Sequence, residues 1–388
     1  MPTTTPFVPW SAANARRMRR QGLLAPVPRS PTAVPGLAAT MLGVHAQVLS
    51  AAELSLGLRI EGATRADVRD ALWRERSLVK TYGPRGTVHL LAAADAPMWT
   101  GALSAIPGVG EPARDVGLTA ARTDAVVAAV GDALTGAELT ADELTEAVVA
   151  RTGPWAGDLV MPAFQGMWPR WRQAMHTAAH RGVLAFGPNR GRQVTYTNPC
   201  VTPMERDAAL AALVRRYLHA YGPATPRHVA RWLAAPQGWV SALLAELAGD
   251  GRIEPVEFEG VGPAWVAAGD SAFPEPEAEG GEVRLLPYFD AFAIASHPRE
   301  RLFPGRAFER ALARGQAGNY PLLLVGGVVA GVWHQRRSGR RVTVTVETLS
   351  HLTAGQLEEL TREVDRIGEV AEATAQLVRG PVTVGPHA

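Results

Sequence analysis

One order of elements, helices followed by a β-hairpin, occurs three times along the sequence and limits the folds open to this chain. Each repeat begins at a threonine that can cap a helix, and the three positions are Thr64, Thr140 and Thr225. Hairpins are expected where short apolar runs flank turn residues, at 78–91, 183–196 and 253–267, and a further helix is predicted over 168–181. Helices followed by a hairpin describe a winged helix, so we predict three such domains in tandem. Other α+β arrangements share this order, and the pattern alone leaves them open.

The remainder of the chain is predicted to form a linker and a small β-rich domain. Residues 270–282 contain five acidic residues among prolines and glycines and no basic residue, a composition typical of a linker. Strands are predicted after it at 283–286, 322–325, 328–334 and 342–347. The predicted fold is therefore α+β, with three tandem winged helices and a C-terminal β-barrel-like domain. The predicted boundaries are a basic N-terminal segment 1–35, winged helices 36–115, 116–203 and 204–270, a linker 271–282 and the β-domain 283–388.

Composition excludes several classes of protein. The chain has 388 residues, of which 47% are hydrophobic and 20% charged, and it holds no apolar run of the roughly 18 residues that a spanning helix needs. We therefore expect a soluble protein of the cytoplasm, associated with the nucleoid and not with membranes. The single cysteine, Cys200, excludes an intrachain disulfide and argues against a structural zinc site. We expect no metal and no cofactor.

Arginine is distributed unevenly. Residues 1–52 contain five arginines and no Asp or Glu, so this segment is expected to meet an anionic partner. Four arginines lie at one predicted hairpin turn, namely Arg336, Arg337, Arg340 and Arg341, and Arg190 and Arg192 lie at another. Guanidinium groups at turns suit phosphate contact, although a basic turn is commonly just solvated surface. Because the two turns and the N-terminus agree, we favour nucleic-acid contact.

A candidate catalytic pair lies between two predicted helices. Ser50 and Glu53 are expected to form a capping box that starts a helix, which leaves His45 and Gln47 in the connection before it. In an extended connection, side chains two residues apart point to the same side, so the two polar groups can face one site. Core hydrogen bonding is the commoner role for such a pair, and spacing alone does not decide.

Several phrases of the sequence resemble the AlkZ-like and YcaQ-like DNA glycosylases. Residues 43–47 (GVHAQ) resemble the family's catalytic Gln-x-Gln or Gln-x-Asp motif, with His45 at the first position in place of the usual Gln. Other similar phrases lie at 85–89 (RGTVH), 221–225 (YGPAT), 286–290 (LPYFD) and 327–333. The resemblance implies three winged helices and a β-barrel in a C-shaped arrangement, and catalysis by His45 and Gln47. It also implies a substrate, duplex DNA that carries bulky N7-alkylguanine adducts or interstrand crosslinks.

The expected reaction is hydrolysis by a monofunctional, monomeric enzyme. A glycosylase that also cleaves the strand needs an amine nucleophile, and Lys80 is the only lysine of the chain. Arg85 and His89 are candidate DNA contacts, though both can instead fix a wing, and Asp290 either supports the active site or caps a turn. Tryptophans at helical positions, Trp168 among them, are expected in the core. The alternatives are a winged-helix DNA-binding regulator that has lost catalysis and a protein that sequesters a genotoxin.

Overall fold

The computed structural model describes residues 5–108, 117–163, 166–273, 281–312 and 315–385, and these form two compact units. The first unit combines residues 1–71, 214–232 and 237–388, and the second combines 72–213 and 233–236. Most of the predicted linker, residues 274–280, lies outside the described residues.

The described helices are numbered in chain order. They are α1 (Trp10–Arg20), α2 (Ala33–Thr40), α3 (Leu49–Gly57), α4 (Arg65–Arg69), α5 (Ala96–Ala105), α6 (Ala120–Leu134), α7 (Ala141–Thr152), α8 (Met175–His180), α9 (Arg206–Tyr221), α10 (Pro226–Leu233), α11 (Gln237–Gly249), α12 (Ala291–Ala295), α13 (Arg299–Leu302), α14 (Arg306–Ala311) and α15 (Ala354–Val370). A π-helical turn, Asp70–Arg74, extends α4.

The strands are numbered in the same way. They are β1 (Phe7–Val8), β2 (Val44–His45), β3 (Leu78–Tyr82), β4 (Val88–Ala92), β5 (Glu138–Thr140), β6 (Leu159–Pro162), β7 (Met167–Pro169), β8 (Ala185–Arg190), β9 (Gln193–Thr197), β10 (Ile253–Phe258), β11 (Gly262–Ala267), β12 (Val283–Leu286), β13 (Leu322–Val325), β14 (Val328–Ser338), β15 (Arg341–Thr348) and β16 (Thr374–Arg379).

The predicted alternation of helices and hairpins is present. Antiparallel hairpins β3–β4, β8–β9 and β10–β11 each follow helices, as the sequence indicated. Two of the predicted caps form as well: the Thr140 N–H donates to the Glu143 carboxylate at 2.8 Å, and the Thr64 N–H donates to the Asp67 carboxylate at 2.7 Å. The first repeat has its helices in one compact unit and its hairpin in the other. The number of winged-helix domains remains a prediction.

The helix predicted over 168–181 is wrong in its first half. Strand β7 occupies Met167–Pro169, a 3₁₀ turn covers Arg170–Ala174, and only α8 is α-helical. Proline disfavours the helical conformation of the residue before it, so Trp168 is extended. Its side chain is 41% exposed instead of lying in the core, whereas Trp171 is fully buried.

The β-barrel-like domain predicted for the C-terminal part is a curled half-barrel of five strands in the first unit, in the order β12-β13-β14-β15-β16. Strands β12 to β15 are antiparallel neighbours, and β15 pairs in parallel with β16. The predicted alternation along β15 is confirmed, since Val342, Val344 and Val346 are buried. Helix α15, which we did not predict, packs Leu360, Val364 and Ile367 into the same core, so a helix covers a face of the sheet.

Two arginines of the N-terminal segment, Arg17 and Arg20, have partners inside the first unit, which corrects the expectation of an anionic partner for these two residues. Arg17 is buried and donates to the carbonyl oxygens of Gly222, Pro223 and His297 at 3.3, 3.3 and 2.7 Å. Arg20 holds the carboxylate of Asp270 with two hydrogen bonds of 2.8 and 2.6 Å. The anionic partner of Arg20 thus lies 250 positions away in the same chain, and the neutral carbonyl partners of Arg17 lie more than 200 positions away. Sequence proximity cannot reveal such contacts.

The second unit has its core between α6, α7, α8 and the sheet of order β5-β9-β8. No helix in the described part of the chain is long and apolar enough to cross a membrane.

Candidate active site

His45 and Gln47 lie in the connection between α2 and α3, as predicted. Leu42 and Gly43 have positive φ angles of 54° and 86°, which turn the chain out of α2 and into the short strand β2. The His45 side chain is only 7% exposed, whereas Gln47, two residues on in a bend before α3, is exposed. The connection therefore presents a fixed imidazole and a solvent-accessible amide next to each other in sequence.

The capping box expected from Ser50 and Glu53 does not form. Helix α3 begins at Leu49 after Val48, and no side chain caps it. Glu53 is 2% exposed and accepts two hydrogen bonds from Arg69, at 2.6 and 3.1 Å. A buried carboxylate requires a charged partner, so the ion pair takes the place of the cap.

Phe289 fixes the imidazole of His45. The two rings stack with their centroids 4.6 Å apart and their planes inclined by 25°. Phe289 itself has a positive φ of 56°, and its N–H donates to the carbonyl oxygen of Gly318 at 2.8 Å. A strained backbone of this kind persists only when its surroundings hold it.

The next residue, Asp290, fixes the backbone at this point through its hydrogen bonds. Its carboxylate accepts hydrogen bonds from the Arg59 guanidinium at 2.9 and 2.8 Å and from Ser55 Oγ at 2.7 Å. One carboxylate oxygen also accepts from the Phe292 N–H at 3.0 Å and so caps α12. The side chains of Arg59 and Asp290 are 1% and 0% exposed. Asp290 therefore caps a helix and also ties the Phe289 loop to the end of α3.

The charges of Arg59 and Asp290 balance each other. The single buried carboxylate of Asp290 is matched by the single guanidinium of Arg59, with short hydrogen bonds of the kind that charged pairs form. The cluster can thus orient Phe289 and, through it, His45 without adding net charge to the site. An imidazole so placed can accept a proton, and the Gln47 amide can both donate and accept hydrogen bonds.

The four arginines of the first unit that we predicted as DNA contacts lie together at the turn between β14 and β15. Ser338 pairs with Arg341, so Gly339 and Arg340 form a two-residue turn. All four guanidinium groups are exposed, and none forms an ion pair with a carboxylate in the described part of the chain. Arg337 donates to the carbonyl oxygens of Gly339 and Ala371 at 3.1 and 3.0 Å. The hairpin end therefore offers uncompensated positive charge.

The predicted DNA contacts in the second unit differ in exposure and in pairing. Arg190 is exposed but paired with Glu143 at 2.7 Å, whereas Arg192 is exposed with no ion-pair partner among the described residues. Arg85 is half-buried, with a positive φ of 62°. His89 is 5% exposed, and its Nδ1 lies 2.8 Å from the carbonyl oxygen of Thr87. The burial of His89 favours the alternative in which it fixes the wing.

The Lys80 ammonium lies 4.9 Å from the ring centre of Phe186 in the second unit. Within the described ranges, no group of three or more His, Cys, Asp and Glu side chains could hold a metal ion.

Sequence reasoning missed Arg59, Ser55 and Phe289. Arg59 carries a signal in retrospect, because it stands between Leu58 and Ile60 at the end of an apolar helix, and a buried arginine needs a carboxylate. Phe289 lies inside the phrase at 286–290, but nothing local indicates that it stacks on a histidine 244 positions earlier. Such contacts depend on the tertiary fold.

The chain is similar to known DNA glycosylases. A model of the AlkZ-like family, described as DNA glycosylase AlkZ-like, matches residues 38–370. A Streptomyces sahachiroi protein named interstrand DNA cross-link repair glycosylase is 30% identical over 338 residues, which cover 84% of this chain and 87% of that protein. The solved structure of Streptomyces sahachiroi DNA glycosylase AlkZ superposes with a TM-score of 0.77 at 27% identity, covering 96% of this chain and all of that one. The matched range contains His45, Gln47 and Asp290.

Proposed function

The chain belongs to the AlkZ-like family of DNA glycosylases, and we propose that it releases bulky N7-alkylguanines from duplex DNA with His45 and Gln47 as its catalytic pair. The observation that carries the proposal is the stacking of a nearly buried His45 on Phe289, with an exposed Gln47 two residues on. This arrangement holds one group in place and leaves the other accessible to a substrate.

Hydrolysis at an N7-alkylguanine needs little activation of the leaving group by the enzyme. N7-alkylation gives guanine a positive charge, so the base leaves as a neutral molecule when the C1′–N9 bond breaks and takes the bonding electrons. The sugar then resembles an oxocarbenium ion, and a water must form the new C1′–O bond. His45 accepts the proton of that water, and Gln47 orients the water through its amide. An amide cannot take up a proton at neutral pH, so the two residues have different roles.

Phe289, Asp290 and Arg59 are positioning residues in this scheme. They touch His45 or each other, and they keep the imidazole in one orientation while the water is activated. A fixed base avoids reorganisation during the reaction. The four arginines at the β14–β15 turn supply phosphate contacts that hold the duplex, as does Arg192.

We extend the proposal to interstrand crosslinks, because the Streptomyces sahachiroi relative is named for their repair. We also propose a monofunctional enzyme that acts as a monomer and leaves an abasic site. The only lysine has its ammonium over the ring of Phe186, and the scheme above needs only water, an imidazole and an amide.

The test is single-turnover base release from a duplex with one N7-alkylguanine, followed by alkaline cleavage at abasic sites. We expect His45→Ala and Gln47→Ala each to slow release by about 10²–10⁴-fold. His351→Ala and Gln193→Ala, which change exposed residues of the same types, should match the wild type. Full release by His45→Ala together with loss in Gln47→Ala would refute the division of roles.

Two further outcomes bear on the finer points. Failure of the wild type to release any N7-alkylguanine, simple or bulky, would overturn the lesion class. Borohydride trapping of a covalent protein–DNA adduct would overturn the monofunctional assignment.

A further inference from the structure

Two histidines of the first unit stack on each other. The rings of His228 and His297 have their centroids 4.5 Å apart and their planes inclined by 8°. His228 lies in the first turn of α10 and is half-buried, whereas His297 lies two residues after α12 and is 6% exposed. Two charged imidazolium rings would repel each other in this position, so the stack is typical of neutral rings.

The hydrogen bonds of this pair leave ring nitrogens available. The Thr225 N–H donates to His228 Nδ1 at 3.3 Å, so the neutral ring of His228 carries its hydrogen on Nε2. The carbonyl oxygen of His297 accepts from Arg17 at 2.7 Å, but neither nitrogen of its ring has a hydrogen-bond partner among the described residues. Buried polar groups are normally hydrogen-bonded, so a buried ring of this kind is suited to a ligand that supplies the partner.

The charges that act most strongly on the pair are positive. Burial, and after it the charges of arginines, lower the pKa of His228 to about 4, and these arginines are Arg17, Arg227, Arg231 and Arg299. Burial also lowers the pKa of His297, as do Arg299 and other positive neighbours. Arg227 and Arg231 are exposed and form no ion pair within the described ranges. Guanidinium groups beside two neutral N–H donors attract an anion.

The pair is connected to the loop that holds Phe289. Arg231 donates to the carbonyl oxygen of Gly315 at 3.2 Å, and the carbonyl oxygen of Gly318 in the same loop accepts from the Phe289 N–H at 2.8 Å. Helix α12 joins Phe289 to His297, and its five residues span about 7.5 Å at 1.5 Å per residue. The pair and the imidazole proposed for catalysis therefore share one support.

We propose that His228, His297 and Arg231 bind a backbone phosphate of duplex DNA beside the catalytic pair. The inference rests on the proposed action on duplex DNA. The His228 Nε2–H and a ring N–H of His297 donate to phosphate oxygens, and the Arg231 guanidinium supplies the charge. Two neutral donors beside a guanidinium suit the single negative charge of a phosphodiester, and phosphate contacts fix the register of a protein on a duplex. Free inorganic phosphate presents the same oxygens, so the test separates the two sources.

The experiment measures binding of the full-length protein to an undamaged duplex as a function of salt. Arg231→Gln should lower the slope of log Kd against log salt by up to about 0.9, the value for one phosphate contact. His228→Gln should weaken binding at fixed salt by about three- to tenfold with the wild-type slope, because a neutral donor displaces no counterion. The matched controls are Arg362→Gln, which removes an exposed arginine of α15 in the same unit, and His351→Gln, which changes an exposed histidine.

Two results of the salt titration would overturn the site. One is a wild-type slope in Arg231→Gln, or an equal loss of slope in Arg362→Gln. The other is wild-type affinity in His228→Gln, or an equal loss of affinity in His351→Gln. Binding to an undamaged duplex needs no chemistry, so the site can stand even where N7-alkylguanine release fails, and release can succeed where this contact is absent.

A second readout uses the wild-type protein and so does not depend on the folding of a variant. In proton NMR, the ring signals of His228 and His297 should shift when dimethyl phosphate, a diester without base or sugar, is added. The pKa of His228 should rise as well, because a bound anion stabilises the charged ring. Shifts with inorganic phosphate alone would identify a free anion as the occupant and refute the DNA assignment. Signals that move with neither phosphate compound nor duplex DNA would refute the site itself.

Discussion

Replacing Asp290 by alanine should be among the most damaging single changes in the chain. The substitution removes the acceptor of hydrogen bonds from Arg59, Ser55 and the Phe292 N–H, and it leaves the Arg59 guanidinium buried without a counter-charge. Loss of one partner of a buried ion pair costs about 3–5 kcal/mol of unfolding free energy. Since Phe289 precedes Asp290 directly, base release should fall as well.

The assay is urea unfolding followed by near-ultraviolet circular dichroism, with single-turnover base release in parallel. The double variant Arg59→Met/Asp290→Leu removes both charges and should recover much of the lost stability, because matched removal is often neutral. Asp124→Ala is the control: its pair with Arg181 is 62% and 46% exposed and should contribute below about 1 kcal/mol. A cost below about 1 kcal/mol for Asp290→Ala, or a double variant as unstable as the sum of both single changes, would refute the argument.

Three further outcomes are expected. Neutralising the β14–β15 turn should reduce the slope of log Kd against log salt by up to about 3.6, at about 0.9 per phosphate contact, in a quadruple Arg-to-Gln variant measured by fluorescence anisotropy; an unchanged slope would exclude these contacts. Gly318→Ala should slow base release, because Gly318 has a φ of 97° and an added Cβ would lie 3.1 Å from the Phe289 Cα and displace it. Base release at the wild-type rate in a variant that is still folded by its melting curve would show that Phe289 need not stay in place. Burial, with the charge of Arg17 and other arginines, lowers the pKa of His228 from 6.5 to about 4, so the unfolded chain takes up a proton that the folded state does not between these values. The free energy of unfolding should therefore fall as pH drops from about 6.5 to 4, and His228→Gln should reduce this fall; an equal fall in the variant would contradict it.

Local signals in the sequence located much of the fold. The strands at 283–286 and 322–325 were predicted at their observed bounds, because a buried strand is a short apolar run with clear ends. The cap at Thr140 followed from one hydroxyl and one carboxylate three residues apart. These features depend on interactions within a few residues.

The failures share a physical cause. Glu53 was expected to cap a helix but pairs with Arg69, and Trp168 was expected in the core but projects on a hairpin. In both cases the local pattern permitted two outcomes, and packing with residues elsewhere decided between them. For the site, position and spacing indicated His45 and Gln47, whereas the Phe289 stack and the Arg59–Asp290 pair required the tertiary fold.

The position of α1 has a consequence for how the protein is made. Arg17 donates to the carbonyl oxygen of His297, which is 280 residues further along the chain, and β1 pairs in parallel with β10. At a synthesis rate of about 5–20 residues per second, the first helix leaves the ribosome roughly 15–60 s before that partner is synthesised. Arg17 and Arg20 lack their native partners until residues 219–223 are synthesised, and the contact with His297 forms only later. The first unit therefore cannot complete its fold until the last third of the chain is synthesised. The second unit is built almost wholly from the continuous stretch 72–213, so it can fold before the rest of the first unit is synthesised.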